Sequence, residues 1–434
     1  MLLLLFAGAL PLAAQNALYF PPNSGTTWAT TSPQSLGWCQ PQLDTLLNYL
    51  ASKRTKSFIV LKDGRMVVEQ YYGTYTRDSV WYWASAGKSL TAALVGIAQQ
   101  DGLLSLADST SRHLGRGWSG APAAKERLIT VRHQLSMTTG LDDTPPPPCD
   151  NESTAPGCLR YLADAGTRWA YHTGPYRLLL DVIARASGLS INQYTNQRLA
   201  ARIGMSGAWV NGVYYSRARD MARFGLLMLN RGTWEQTPIL TDATYYQAMT
   251  TPAQPHNRAY GYLWWLNGQA SYMLPTSQLV FSGPMVPTAP ADMIAALGKN
   301  DQKIYVVPSL GLVVVRQGQS AGASKLAVSS FDAELWRRLM AAMQCRPLAV
   351  RADAAPAGIT AYPQPAAEQL LVTLPSALGT CTLHLTNALG QEVHAQLGHG
   401  PVAALDLKRL AHGVYFLQVR SPAGQLLASR RIVH

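Results

Sequence analysis

A serine three residues ahead of a lysine, Ser85-Ala86-Gly87-Lys88, is the spacing in this chain with the clearest chemical use. A serine hydroxyl is a weak nucleophile until a base removes its proton. If the four residues open a helix, positions i and i+3 share a face, and the Lys88 amine reaches the Ser85 hydroxyl. Desolvation there lowers the lysine pKa toward that of a working base. The helix N-terminus favours the negative charge that develops at the serine and on an attacked carbonyl. The chemistry such a pair performs is acyl transfer. Roughly two Ser-x-x-Lys matches arise by chance in a chain this long, so partners must support it. The first partner is Tyr171, in Gly166-Thr167-Arg168-Trp169-Ala170-Tyr171-His172-Thr173. A phenol beside a cationic lysine loses its proton more easily, or relays one.

The elements that must position these residues are legible from periodicity. Leu43, Leu46, Leu47 and Leu50 predict a helix over 41–52. Ser57–Leu61 and Met66–Tyr72 flank an Asp63-Gly64 turn and predict a hairpin. Residues 86–250 read as mostly helical, the last helix running from Ser216, a plausible N-cap, to Leu229. A second hairpin joins Ile304–Val307 to Leu312–Arg316, and a final helix runs from Ser329 to Met343. This order predicts an α+β fold: one antiparallel sheet built from both ends of the domain, flanked by helices, with an inserted helical subdomain. Residues 347–358 are rich in Ala and Pro and read as a linker. Short β-prone runs separated by turns over 359–434 predict a small all-β sandwich.

Composition bounds the rest. The 434 residues fit one large domain and a small one, and 47% apolar with only 14% charged residues excludes a mostly disordered chain. The net charge of +12 is scattered and has no nucleic-acid motif beside it, so it reads as a solvated basic surface and not as a nucleic-acid site. Residues 1–15 are a short apolar run ending in small residues, the pattern of a signal peptide and too short to span a bilayer. No later segment reads as a membrane span. Export permits disulfides among Cys39, Cys149, Cys158, Cys345 and Cys381. A Cys149–Cys158 bridge would staple a local loop. Cys39 and Cys345 pair if the first and last helices are neighbours, which leaves Cys381 over. No Cys/His spacing suggests zinc, and no cofactor is expected.

As an ordered set, Ser85-x-x-Lys88, the Gly166-x-x-Trp169-x-Tyr171 block and a Gly-containing β segment before a Pro-turn hairpin resemble the class C β-lactamase-related serine hydrolases. That group includes penicillin-binding proteins, D-aminopeptidases, esterases and aminohexanoate-oligomer hydrolases. The blocks Ile129–Leu141, Arg219–Gly225 and Tyr260–Trp265 match its framework, and the resemblance covers roughly residues 40–345. It implies a hydrolase domain over 16–346 that cleaves an amide or ester through a Ser85 acyl-enzyme, with Lys88 and Tyr171 moving protons. Gly298-Lys299-Asn300-Asp301-Gln302 is the counterpart of the group's third motif. Lys299 would hold a substrate carboxylate or tune the site's charge, and an oxyanion hole would form from the Ser85 N–H and one near Gln302. Trp264 and Trp265 are candidate pocket walls, with aromatic core packing as the alternative. Pro145–Pro148 and the Cys149–Cys158 segment would form a rigid lip. Tyr171-His172-Thr173 departs from the group's usual Tyr-Ser-Asn, and the expected glycine after Lys299 is missing. The missing glycine points to an amidase or esterase pocket in place of β-lactam hydrolysis.

The C-terminal residues Ala361–Ala366, Thr386–Gln391, Leu410–Val419 and Arg430–His434 resemble the type A sorting domain of the type IX secretion system. That resemblance implies export through the periplasm, recognition by the secretion machinery, and a secreted or cell-surface protein. The alternative to an enzyme is a catalytically silent, penicillin-binding-like protein that recognises envelope peptides.

Overall fold

A computed structural model describes residues 18–323, 328–345, 358–387, 391–422, 424 and 426–434. The expected signal peptide and all of the expected linker but Gly358 lie outside the described residues. The chain divides into two compact units, Met1–Cys345 and Arg346–His434.

In the first unit the principal elements are, in chain order, α1 Gln40–Ser52, β1 Thr55–Lys62, β2 Arg65–Tyr71, β3 Trp81–Tyr82, α2 Gly87–Gln100, α3 Thr173–Ser187, β4 Ala208–Val210, β5 Val213–Ser216, α4 Ala218–Leu229, β6 Trp265–Leu266, β7 Ile294–Gly298, β8 Gln302–Val307, β9 Leu312–Gly318 and α5 Ser330–Met343. The main sheet has the order β2-β1-β9-β8-β7-β6, and its neighbours are antiparallel. It is built from both ends of the domain: Val60 of β1 lies opposite Val314 of β9. Every residue of β8 and β9 is buried, because helices cover both faces of these central strands. α4 packs on β1, β8 and β9, and α1 packs on β1 and α5. The β1–β2 turn has positive φ at Asp63 and Gly64, as a two-residue hairpin loop requires. At Gly64 a Cβ would also fall 1.8 Å from the Tyr19 carbonyl oxygen, so only glycine fits.

Two local expectations are corrected. The middle region contains a small sheet, β3-β5-β4, beside its helices. Ser216 ends β5 and is not the N-cap of α4. The aromatic run Tyr214-Tyr215 continues as a strand paired with Trp81-Tyr82, and Arg217 takes the cap position, where its N–H donates to the Asp220 carboxylate at 3.0 Å. The last helix does begin after Ser329, in a capping box with Asp332.

Cys39 is bridged to Cys345, joining the start of α1 to the end of α5, and Cys149 is bridged to Cys158. Cys381 is free and buried. The second unit is all-β among its described strands. A sheet of Thr360–Tyr362, Gln369–Thr373 and Val402–Asp406 and one of Glu392–Gly398, Cys381–Asn387, Val414–Arg420 and Leu426–Val433 share an apolar core that includes Leu370, Leu383, Leu405 and Leu417. No helix among the described residues is long and apolar enough to cross a membrane.

Candidate active site

The segment leading to Ser85 is held from several sides. β3 pairs with β5, the Trp83 N–H donates to the Tyr214 carbonyl at 2.8 Å, and the Trp83 indole donates to the Ser216 hydroxyl at 2.8 Å. Ala84 then adopts φ 48°, a left-handed conformation that a residue with a Cβ rarely takes. This kink turns the chain from strand into α2 and leaves Ser85 half-buried at the head of that helix.

Lys88 follows on the first turn of α2 and is only 1% exposed. Its Nζ lies 3.0 Å from the Ser85 hydroxyl and 3.4 Å from that of Thr173. It also sits over the rings of Tyr176 at 4.1 Å and Tyr171 at 4.8 Å. Burial pushes the amine well below the usual lysine range. The Arg177 and Lys299 charges act the same way, and Glu152 opposes them.

Tyr171 is packed into an aromatic cluster, stacked on Trp265 with ring centroids 5.8 Å apart and edge-on to Tyr260. Its hydroxyl is buried and has no hydrogen-bond partner among the described residues. Burial pushes the phenol far up, and Ser85 beside it pulls in the opposite direction. Of the two expected roles, easy ionisation of the phenol is at odds with this: burial favours its protonated form.

Ser85 and Lys88 form the floor of a pocket of about 230 Å³ with Tyr82, Tyr176 and Tyr215 as walls. Its rim is charged. Arg177 Nη2 donates to Glu152 Oε2 at 2.8 Å, and Lys299 Nζ lies 3.3 Å from Glu152 Oε1. Glu152 belongs to the loop closed by Cys149–Cys158, so that loop does reach the pocket, whereas Pro145–Pro148 are not among the lining residues.

Of the other expected site residues, Lys299 lines the pocket, whereas Tyr171, Gln302 and Trp264 are not among its lining residues. Gln302 is fully buried. Its carboxamide donates to the Asn300 and Gly318 carbonyls at 2.9 and 2.6 Å and accepts from the Gly318 N–H at 3.1 Å, so it locks the β7–β8 turn to β9. Trp264 is also fully buried and stacks on Phe224 in the core. Adjacent strand-like residues point to opposite sides, so Trp265 is the one that meets Tyr171. The turn carrying Lys299 is further fixed by Arg316, which donates to the Asn300 and Asp301 carbonyls at 3.2 and 2.8 Å.

A glycine does stand at this strand, ahead of Lys299. β7 pairs with β6 only at Ile294 and Ala295, and its last residues run beside Ala84–Ala86. A Cβ on Gly298 would fall 2.5 Å from the Trp83 carbonyl oxygen and 3.0 Å from the Ala86 nitrogen, so only glycine lets the strand edge approach the serine this closely.

Beside Tyr171, His172 is 3% exposed, and both ring nitrogens lack partners among the described residues. Burial lowers its pKa from 6.5 to about 4, so the folded chain keeps it neutral. The unfolded chain binds the proton first, and stability falls as pH drops from about 6.5 toward 4, by up to about 3 kcal/mol from this group. Denaturant titrations between pH 7 and 4 should show His172→Gln losing less stability than the wild-type chain; an equal loss would remove His172 as the source.

The beta-lactamase family model matches residues 51–326. The chain belongs to the beta-lactamase family. A Bacteroides dorei protein provisionally assigned as a beta-lactamase superposes with a TM-score of 0.56 at 18% identity, covering 70% of this chain and 99% of that one. A Bacillus anthracis protein provisionally assigned as a 6-aminohexanoate-dimer hydrolase gives 0.56 at 17% identity, covering 75% and 89%. A penicillin-binding protein homologue of Caulobacter crescentus gives 0.54 at 11% identity, covering 73% and 99%. At these identities the likeness shows the fold. No curated protein matches the chain. Residues 360–433 match the secretion system C-terminal sorting domain, which marks this beta-lactamase-family protein for export to the cell surface or beyond.

Sequence reasoning missed Glu152, Thr173, Tyr176 and Arg177 at the pocket of this family member. The one available signal was helical spacing: Tyr176 and Arg177 follow Tyr171 just inside α3, on the element whose start the tyrosine motif had already located.

Proposed function

We propose that the protein is a secreted serine hydrolase that cleaves an amide or ester through a Ser85 acyl-enzyme. The observation that carries this is the 3.0 Å contact between the Ser85 hydroxyl and a fully buried lysine whose environment favours the free amine. Lys88 takes the serine proton as the oxygen attacks the carbonyl. The resulting ammonium is received between the faces of Tyr171 and Tyr176. The still-protonated Tyr171 phenol relays that proton to the leaving amine or alcohol, and water then releases the acyl group from Ser85. The oxyanion would be received by the backbone N–H groups of Ser85 and of a residue near Gln302. Arg177 and Lys299 outweigh Glu152 by one charge at the rim, which favours substrates that are neutral or acidic near the scissile bond.

The test is labelling with a fluorophosphonate. The wild-type chain should label, Ser85→Ala should not, and the rate should fall as pH drops through the depressed Lys88 pKa, where the amine protonates. Labelling that persists in Ser85→Ala overturns the nucleophile assignment. A silent peptide-recognition protein would leave even the wild-type chain unlabelled.

A further inference from the structure

Asn151 does not line the pocket, yet it holds both residues that flank the lysine. Its Nδ2 donates to the Tyr171 carbonyl at 2.9 Å and to the Asp143 carbonyl at 2.9 Å, and its Oδ1 accepts from the Thr173 N–H at 3.0 Å. Its own carbonyl accepts from the Gly174 N–H at 2.9 Å. Thr173 and Gly174 are the first two residues of α3, and the helix's own N-cap residue, His172, makes no side-chain cap. Asn151 therefore satisfies from another loop the donors that a helix start leaves open. The neighbouring residues complete the wrap. The Ser153 carbonyl oxygen would sit 2.2 Å from a Cβ on Gly174, and the Glu152 carboxylate and carbonyl accept from Arg177, one turn further along. Cys149–Cys158 closes this loop across a separation of nine residues.

We infer that Asn151 is a positioning residue for Tyr171 and Lys88, and that the Cys149–Cys158 bridge, by holding Asn151 in place, makes full turnover depend on oxidation. The inference rests on the Ser85–Lys88 reading above. Oxidation joins two thiols into one disulfide, passing two electrons and two protons to a disulfide oxidant such as oxidised glutathione, which leaves as two thiols; a dithiol reverses the step. Without the bridge the loop gains chain freedom, the first turn of α3 loses its borrowed cap, and water reaches the lysine.

The full chain is assayed with p-nitrophenyl acetate. Asn151→Ala should lower kcat by about 100-fold with KM nearly unchanged, the scale expected when reacting groups are misplaced by an ångström. Its kcat–pH profile should also move to higher pH on the acid side, because a hydrated Lys88 regains a higher pKa; loss of fold alone would not move that limb. Cys149→Ser/Cys158→Ser should show the same split to a lesser degree, about tenfold. Dithiothreitol should bring the wild-type chain to that level and leave the double variant unchanged. A folded Asn151→Ala with wild-type kcat and acid limb overturns the inference. If Asn151→Ala does not fold, a double-serine variant with wild-type kcat overturns it instead. Labelling that survives Ser85→Ala counts against the catalytic reading and is told apart from either result.

Discussion

Lys88→Met should turn over a neutral ester about 10⁴-fold more slowly than the wild-type chain while melting at the same temperature or higher. The two halves of that result have separate causes. The amine is the group within reach of the Ser85 proton, so its removal leaves the serine hydroxyl without a base. In the fold, however, the amine is a polar group taken out of water, with the Ser85 and Thr173 hydroxyls as its hydrogen-bond contacts. Burying it costs free energy that a thioether of similar length does not. The rings of Tyr171 and Tyr176 that receive a cation receive a methionine sulfur equally well. Steady-state kcat and a thermal melt on the same preparation check both halves. Activity within tenfold of wild type would mean that another group takes the proton.

Tyr171→Phe should behave similarly for a different reason. Among the described residues the Tyr171 hydroxyl is buried with no hydrogen-bond partner, and Ser85 is the group beside it, so its removal should not lower stability. The ring remains, and with it the stack on Trp265 and the face turned to Lys88. On the proposed mechanism what disappears is the proton carrier to the leaving group, and kcat should fall by about 10³-fold. The loss should be larger for an alkyl amide than for a p-nitrophenyl ester, whose leaving group departs without a proton. Equal losses on the two substrates would show that Tyr171 acts on the attack step.

The parts of this site that the sequence made legible are those set by local geometry. Ser85 and Lys88 are one helical turn apart, and the backbone alone brings them together. The Asp63-Gly64 hairpin is likewise a two-residue matter of φ angles. Tyr171 was found by its motif, but the state of its phenol was not, because that depends on packing against Trp265 and Tyr260, some 90 residues away. Trp264 and Trp265 show the limit in another way. Two adjacent tryptophans look alike in a sequence, and only the strand's direction decides that Trp265 packs on Tyr171 while Trp264 packs on Phe224. Gln302 was placed by analogy at the right turn, but its carboxamide serves the backbone of that turn and not the pocket. Asn151 and Glu152 carry no local signature at all, since what they do is meet α3 across the fold.

The first residues of α1 and the last of α5 are fastened to each other by Cys39–Cys345, so the large domain is a covalently closed ring of 306 residues' separation. In chain-entropy terms such a closure disfavours the unfolded ring by about 6 kcal/mol. The described residues from Ile359 on have a hydrophobic cluster of their own, which includes Leu370, Leu383, Leu405 and Leu417. A protease that severs the chain between Cys345 and Thr360 would therefore detach the sorting domain and leave the new end two covalent steps from α1, through Cys345 and Cys39.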